Sequence, residues 1–335
     1  MEYRIKRVSV SEILDIHYKG YFERYGTSRP KNSDNHVLEV FEIDQPPTIY
    51  LNNNHSRVEF HYVMAHCQGH LEFINENGLL KNLRKPRLRK NAIKSLFGYE
   101  DLNLFINTMR TLATTTHDLN SHFISPINYF LSKPDCFKNW QLWLLKLINE
   151  EALYFNAIKR TKLMNEGYAT WRQGAILKEL NLSLSEKMEL TYLEAKLHVK
   201  PDEGLNYYSL GKALWKEVST EDLNHVLCSQ EDHLFIEQYY TEIVHEKENI
   251  SVVIDGEVFN DYQSVKRYLS HFFKHQQPQL YIDQLVTKET GYLTIRYLHF
   301  PQHHQLHINQ LKASLEKIFK QPVYFKPFSY NEKIR

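Results

Sequence analysis

Met64-Ala65-His66-Cys67-Gln68-Gly69-His70-Leu71-Glu72-Phe73 places two histidines four residues apart in a run of helical character. A helix advances about 100° per residue, so His66 and His70 share one face, a single turn apart. Glu59, Tyr62, Phe73 and Asn77 fall near the same stripe. Such a pair is a common way for a helix to offer two nitrogens to one metal ion, and in zinc metalloproteases a glutamate after the first histidine acts as general base. Here that position is Cys67, so the protease mechanism does not transfer. Taken alone, the pair is either a structural couple or half of a ligand set. The helix that carries it is expected over 56–76, between Asn52-Asn53-Asn54 and Asn77-Gly78.

A second stretch, Met164-Asn165-Glu166-Gly167-Tyr168-Ala169-Thr170-Trp171, begins another expected helix at 164–180. Two roles are open to Glu166: a favourable charge in a first helical turn, or a third metal ligand of the thermolysin type. Gly167 and Ala169 are small enough to let a neighbouring helix approach closely. The working expectation is that the fold joins the two stretches in one polar, metal-binding cleft. Glu72 lies roughly 240° round the helix from His66, where it reaches a cleft edge or solvent. Cys67 beside His66 reads as a buried, inert thiol. No Walker loop, GxGxxG fingerprint or GxSxG elbow occurs.

Composition narrows the class. A chain of 335 residues can bury a large core or hold two domains. Lys plus Arg number 41 and Asp plus Glu 40, a net charge of +1 that exerts no global pull on nucleic acid or membrane surfaces. Three cysteines stand far apart in no zinc-ribbon spacing, which favours a reduced, cytoplasmic setting. The first residues carry no apolar run behind their basic charges, so no signal peptide is expected. No window approaches the roughly 18 to 20 apolar residues of a membrane span, and the mean hydropathy is −0.52. Six of the ten residues at 81–90 are basic: Lys81, Arg84, Lys85, Arg87, Arg89 and Lys90. That run is a solvated surface or a contact for an anionic partner; without interleaved aromatics, nucleic acid is not expected.

Along the chain, a short strand at 3–8 and a helix capped by Ser9 or Ser11 to about residue 25 come first, then a loop over 26–35 and a strand at 37–43. Helices are expected at 91–96, 101–119, 138–163, 164–180, 185–197, 206–217 and 231–247. Near residue 248 the pattern changes to a hairpin around Asp255-Gly256, a helix at 261–275, strands at 279–286 and 292–299, a helix at 307–319 and a strand at 322–328. The expected architecture is α+β: a mainly α-helical domain over 1–247, with room for a zincin-like helix pair, and a small α+β sandwich over 248–335.

These motifs resemble the stage V sporulation protein R (SpoVR) family. Ala65-His66 through Gly69-His70 to Phe73-Ile74-Asn75-Glu76-Asn77 is similar to that family's AH…GH..FF.NN segment. Met164 to Thr170 resembles MNEGWAT, Asn206-Tyr207-Tyr208-Ser209-Leu210-Gly211 resembles NPYALG, and Asp232 through Tyr239 resembles D..FI.QY. Leu293-Thr294-Ile295-Arg296-Tyr297 is similar to part of the family's last domain. The resemblance implies a cytoplasmic bacterial protein linked to sporulation through the spore cortex. It also departs from the pattern: Gln173 stands where the family has a histidine, and His198 has lost the hydroxyl residues beside it.

Two functional expectations follow. In one, His66, His70 and Glu166 hold Zn2+, and Glu72, Glu39 or Tyr168 steers an attacking water in a hydrolase-like reaction. In the other, the chain is a non-catalytic sporulation factor with a degenerate site and a protein partner, contacted through 81–90 and the last domain.

Overall fold

The computed structural model describes residues 2–13, 39–86, 101–197, 199, 205–254, 256–275, 279–297 and 303–328. Strands β1 (Arg4–Val8), β2 (Glu39–Glu42) and β3 (Thr48–Asn52) precede helix α1 (Arg57–Glu76). Next come α2 (Leu102–Leu112), β4 (Phe123–Ile124), α3 (Pro126–Leu131), a 3-10 turn over Pro134–Cys136 and α4 (Asn139–Arg160). A run of helices follows: α5 (Lys162–Lys178), α6 (Leu184–Leu197), α7 (Tyr207–Glu217), α8 (Leu223–Ser229), α9 (Asp232–Tyr239) and α10 (Glu242–Glu248). Then come β5 (Val252–Ile254), β6 (Glu257–Phe259), α11 (Tyr262–Lys274), β7 (Leu280–Asp283), α12 (Gln284–Thr290), β8 (Thr294–Tyr297), α13 (His303–Phe319) and β9 (Tyr324–Pro327). The fold is mainly helical α+β with small mixed sheets, as the sequence pattern leads one to expect.

The chain separates into two compact units: residues 1–85 with 157–274, and residues 86–156 with 275–335. Each is discontinuous in sequence. Residue 247, where the change of pattern suggested a boundary, lies inside the first unit, because α11 packs on α9 and α10 on α7 there.

In the first unit, β3 pairs in parallel with β1 and antiparallel with β2. Ile49 and Leu51 of β3 are fully buried against Val58, Tyr62 and Val63 of α1. Ser56 opens α1 with a capping box: its hydroxyl accepts the Glu59 N–H at 3.0 Å, and the Glu59 carboxylate accepts the Ser56 N–H at 2.9 Å. Asn77 ends the helix, and its amide donates to the Leu227 carbonyl at 3.0 Å. The limits of this central helix agree with those expected.

The second unit is built on a sheet of order β4-β7-β8-β9, whose β8–β9 pair is parallel. Ile282 and Ile295 of this sheet join Phe105, Met109, Leu145, Leu315 and Val323 in one buried cluster. The order of strands and helices from 279 onward matches expectation, with one correction. The strand expected to 286 stops at Asp283, whose carboxylate accepts the Val286 N–H at 3.1 Å and starts α12.

Other limits differ for local reasons. The helix expected over 231–247 is two helices, because Tyr240 is extended and Thr241 caps α10 through the Val244 N–H. The helix expected over 101–119 stops at Leu112. Ser9 is the N-cap of the first turn, paired with Glu12; the rest of that helix, the loop over 26–35 and the helix at 91–96 lie outside the described residues.

Candidate metal centre

Small residues set the site. A Cβ added to Gly69 of α1 would stand 2.5 Å from the Ala169 Cα of α5. One on Gly167 would meet the backbone of Gly211 in α7, and one on Gly211 would stand 2.5 Å from the Leu163 carbonyl oxygen. Three helices therefore touch backbone to backbone, and the polar side chains beside those contacts are forced together. The N-terminus of α5 is fixed from a distance: both oxygens of buried Asp232 accept N–H bonds, from Leu163 and Met164, each at 2.9 Å.

The result is a tight group. His66 Nε2 lies 3.5 Å and His70 Nε2 3.6 Å from Glu166 Oε2, and the three ligand atoms fall within 4.8 Å of one another. The two imidazoles meet edge to face with centroids 4.6 Å apart. Both histidine side chains are 5% exposed, whereas Glu166 keeps 19%, so solvent reaches the group from the carboxylate side. Phe41 of β2 covers His70 at 5.4 Å and Tyr208 of α7 covers His66 at 5.8 Å between ring centroids.

Hydrogen bonding fixes one tautomer. His70 donates from Nδ1 to Asn165 Oδ1 at 2.9 Å, which leaves the Nε2 lone pair facing Glu166. Burial, reinforced by the neighbouring His66, lowers His70 to about 4, so it is neutral near pH 7. Burial opposes ionisation of Glu166 too, but His66, His70 and Lys162 outweigh it and hold the carboxyl at about 2. For His66, burial is overcome by the Glu166 and Glu39 carboxylates and by Gln173, and its pKa rises. Among the described residues, neither ring nitrogen of His66 has a hydrogen-bond partner. Two imidazoles and a carboxylate make a zinc-type donor set, and ligands around a tetrahedral ion with bonds of about 2.1 Å stand about 3.4 Å apart. The spacing and the unsatisfied buried nitrogens fit a divalent ion.

A family model described as SpoVR like protein matches residues 120–311, more than half of the chain. The chain belongs to the SpoVR family. It is also 30% identical over 101 residues to a protein of Escherichia coli (strain K12) named uncharacterized protein YcgB. That alignment covers 27% of this chain and spans about a fifth of the relative, 20% of its length. No solved structure matches. Among the described residues, no helix is long and apolar enough to cross a membrane.

Each SpoVR-like motif has a physical task here. Glu166, the Asn206–Gly211 stretch and Asp232 lie within the family match, whereas His66 and His70 precede it. Asn206 caps α7 by accepting the Ser209 N–H at 3.0 Å. Glu166 is the fifth residue of α5, not part of its first turn, and Asp232 supplies the cap; the first-turn reading of Glu166 is thereby corrected. Gln173 is buried beside His66 and donates to the Tyr62 carbonyl at 2.8 Å. His198 lies outside the described residues.

The remaining expected residues are placed as follows. Glu72 is held by Arg172, at 2.6 Å from Nε and 3.3 Å from Nη2, and by Gln68 at 3.2 Å; Tyr168 donates to it at 3.4 Å. Although burial opposes, these donors lower the Glu72 carboxyl, which suits an ion pair better than a proton acceptor. Glu39 behaves oppositely: burial raises its carboxyl, His66 opposes and Glu166 adds to the rise. Cys67 is fully buried and burial pushes its thiol well up, in keeping with an inert role. In the basic run, Arg84 donates to Gln45 and Lys85 pairs with Glu42 at 2.5 Å; Arg87, Arg89 and Lys90 are outside the described residues. Sequence reasoning assigned no role to Asn165 or Asp232, although both stand inside recognisable motifs.

Proposed function

We infer that this SpoVR-family chain holds one divalent ion between His66, His70 and Glu166, zinc being the best match, and acts as a metal-dependent hydrolase in the cytoplasm. The family resemblance supports a place in sporulation, and we propose formation of the spore cortex as the step served. One observation carries the reading. The proton of neutral His70 is committed to Asn165, so its Nε2 lone pair and the Glu166 carboxylate face each other at 3.6 Å as two acceptors. Two acceptors so placed repel unless a cation joins them, either a bound ion or a proton on His66, whose Nε2 lies 3.5 Å from the same carboxylate oxygen.

When bound, zinc would act as a Lewis acid and acidify a water molecule. The residues of the chain then divide the work. Asn165 sets the tautomer and orientation of His70. Phe41 and Tyr208 wall off the histidine side and leave access beside Glu166. Glu39 is the carboxyl group suited to take up and release a proton here, because burial raises its proton affinity above that of an ordinary carboxylate. We give that role to Glu39 and not to Glu72, whose two oxygens are occupied by Arg172.

A second reading, a non-catalytic sporulation factor with a protein partner, draws support from Gln173, whose amide is committed to the Tyr62 carbonyl where the family pattern has an imidazole. Titration of chelator-treated protein with cobalt(II) separates the two. The hydrolase reading expects visible absorption bands of a low-symmetry N/O site that saturate at one equivalent and vanish in His66→Ala/His70→Ala. Absence of bands, or bands that persist in the variant, would overturn it.

A further inference from the structure

Gly69, Gly167 and Gly211 are each explained by a backbone that leaves no room for a Cβ. Gly174 differs. It lies inside α5, where glycine weakens a helix relative to alanine, yet among the described residues, its own helix backbone and chain neighbours aside, no atom comes within 4 Å of where its Cβ would be. Packing within the described chain gives no reason for it.

Gly174 borders a cleft of about 620 Å³ between α5, α6 and α7. The walls carry Trp171 and Lys178 from α5, Lys187 from α6, and Lys212 and Lys216 from α7, against one carboxylate among the described lining residues, Glu194. Lys212 is half-buried. Burial, and then repulsion from Lys216, Lys247 and Lys178 against the pull of Glu194, lowers its ammonium. The described walls of this concavity thus carry more lysines than carboxylates. Trp171 and Lys178 are turned roughly 120–140° round α5 from Glu166, and none of His66, His70 and Glu166 lines the cleft, so it is separate from the metal centre.

The geometry points to a binding site in this cleft for a phosphate-bearing small molecule, with phosphoryl oxygens on Lys178, Lys212 and Lys216 and the organic part against Trp171 over Gly174. Several ammonium groups, each with three donors, match a di- or triphosphate better than a single carboxylate. The Trp171 indole in the wall and the space left beside Gly174 suit a planar ring. Inorganic pyrophosphate and a nucleoside phosphate share this chemistry, and the ring distinguishes them.

The test is calorimetric titration of the full chain, in chelator so that the metal centre takes no part, with pyrophosphate and separately with ATP. Both should bind, and Lys178→Gln/Lys212→Gln should weaken both by at least about tenfold while leaving the circular dichroism unchanged. Trp171→Leu should weaken ATP and spare pyrophosphate if a nucleotide is the ligand; equal affinity for the two in wild type would assign the site to inorganic phosphate. Gly174→Leu, which fills the space without touching a charge, should weaken ATP and serves if the lysine variant fails to fold. No binding by wild type, or the same loss in Lys133→Gln/Lys288→Gln of the other unit, would overturn the proposal.

Discussion

His70 Nδ1 lies 2.9 Å from Oδ1 of Asn165, the residue immediately before Glu166, so one short stretch of α5 both orients an imidazole and presents a carboxylate to it. An orienting partner of this kind fixes the tautomer that leaves Nε2 as the ligand atom. Asn165→Ala should therefore weaken zinc binding by about 10- to 100-fold, read by competition with a chelating dye. Asn165→Asp, which keeps an acceptor, should retain most of the affinity. Equal binding by Asn165→Ala would remove Asn165 from the site.

The contact of Gly69 with Ala169 has no slack, because the obstructing atoms are backbone. Gly69→Ala should cost about 1–3 kcal/mol in urea unfolding through overpacking. Gly174→Ala, in open space on the same helix pair, should instead stabilise by about 0.5–1 kcal/mol. If Gly69→Ala were as stable as wild type, the backbone-to-backbone approach that brings Glu166 to the histidines would be wrong.

Asp232 holds the start of α5 with both carboxylate oxygens. Asparagine has one acceptor and would turn an amide against an N–H donor. Asp232→Asn is expected to lose about 1–3 kcal/mol of stability and to weaken metal binding, because the turn that leads to Glu166 would fray. Unchanged stability would contradict a capping role.

What was legible in the sequence was local. Ser56 with Glu59, and Asn77-Gly78, bound α1 by chemistry within a few residues, and the spacing of His66 and His70 fixes a shared face. Gly167 and Ala169 announced a close helix contact. What could not be read depends on partners far along the chain. Asp232 caps α5 from 69 residues away, and Arg172 claims Glu72 across 100 residues. The sheet of the second unit takes Phe123–Ile124 as the neighbour of β7, a pairing that no two-residue strand announces. Residue 247 likewise marked a change of local pattern, whereas the units are drawn by packing of α11 on α9.

The metal-free protein should show opposite titrations in its paired histidines. By NMR, His70 should titrate near 4 and His66 above its ordinary 6.5. Since the folded value of His70 lies below its unfolded one, the unfolded chain binds protons first, and stability falls as the pH drops from about 6.5 to about 4. His66 has the other sign: its contribution is full below about 6.5 and is lost as the pH rises through its raised folded value. Glu166, held at about 2, loses its contribution only between its ordinary 4.5 and about 2. His70→Gln should abolish the loss between 6.5 and 4. Persistence of that loss would contradict a neutral, buried His70.

The central claim is that His66, His70 and Glu166 are ligands, and elemental analysis of purified protein tests it most directly. After dialysis against zinc and removal of loose metal, the wild type should retain about one zinc per chain, while His66→Ala/His70→Ala and Glu166→Gln retain almost none with their helical circular dichroism intact. A wild type without stoichiometric metal, or folded variants that keep it, would contradict the account.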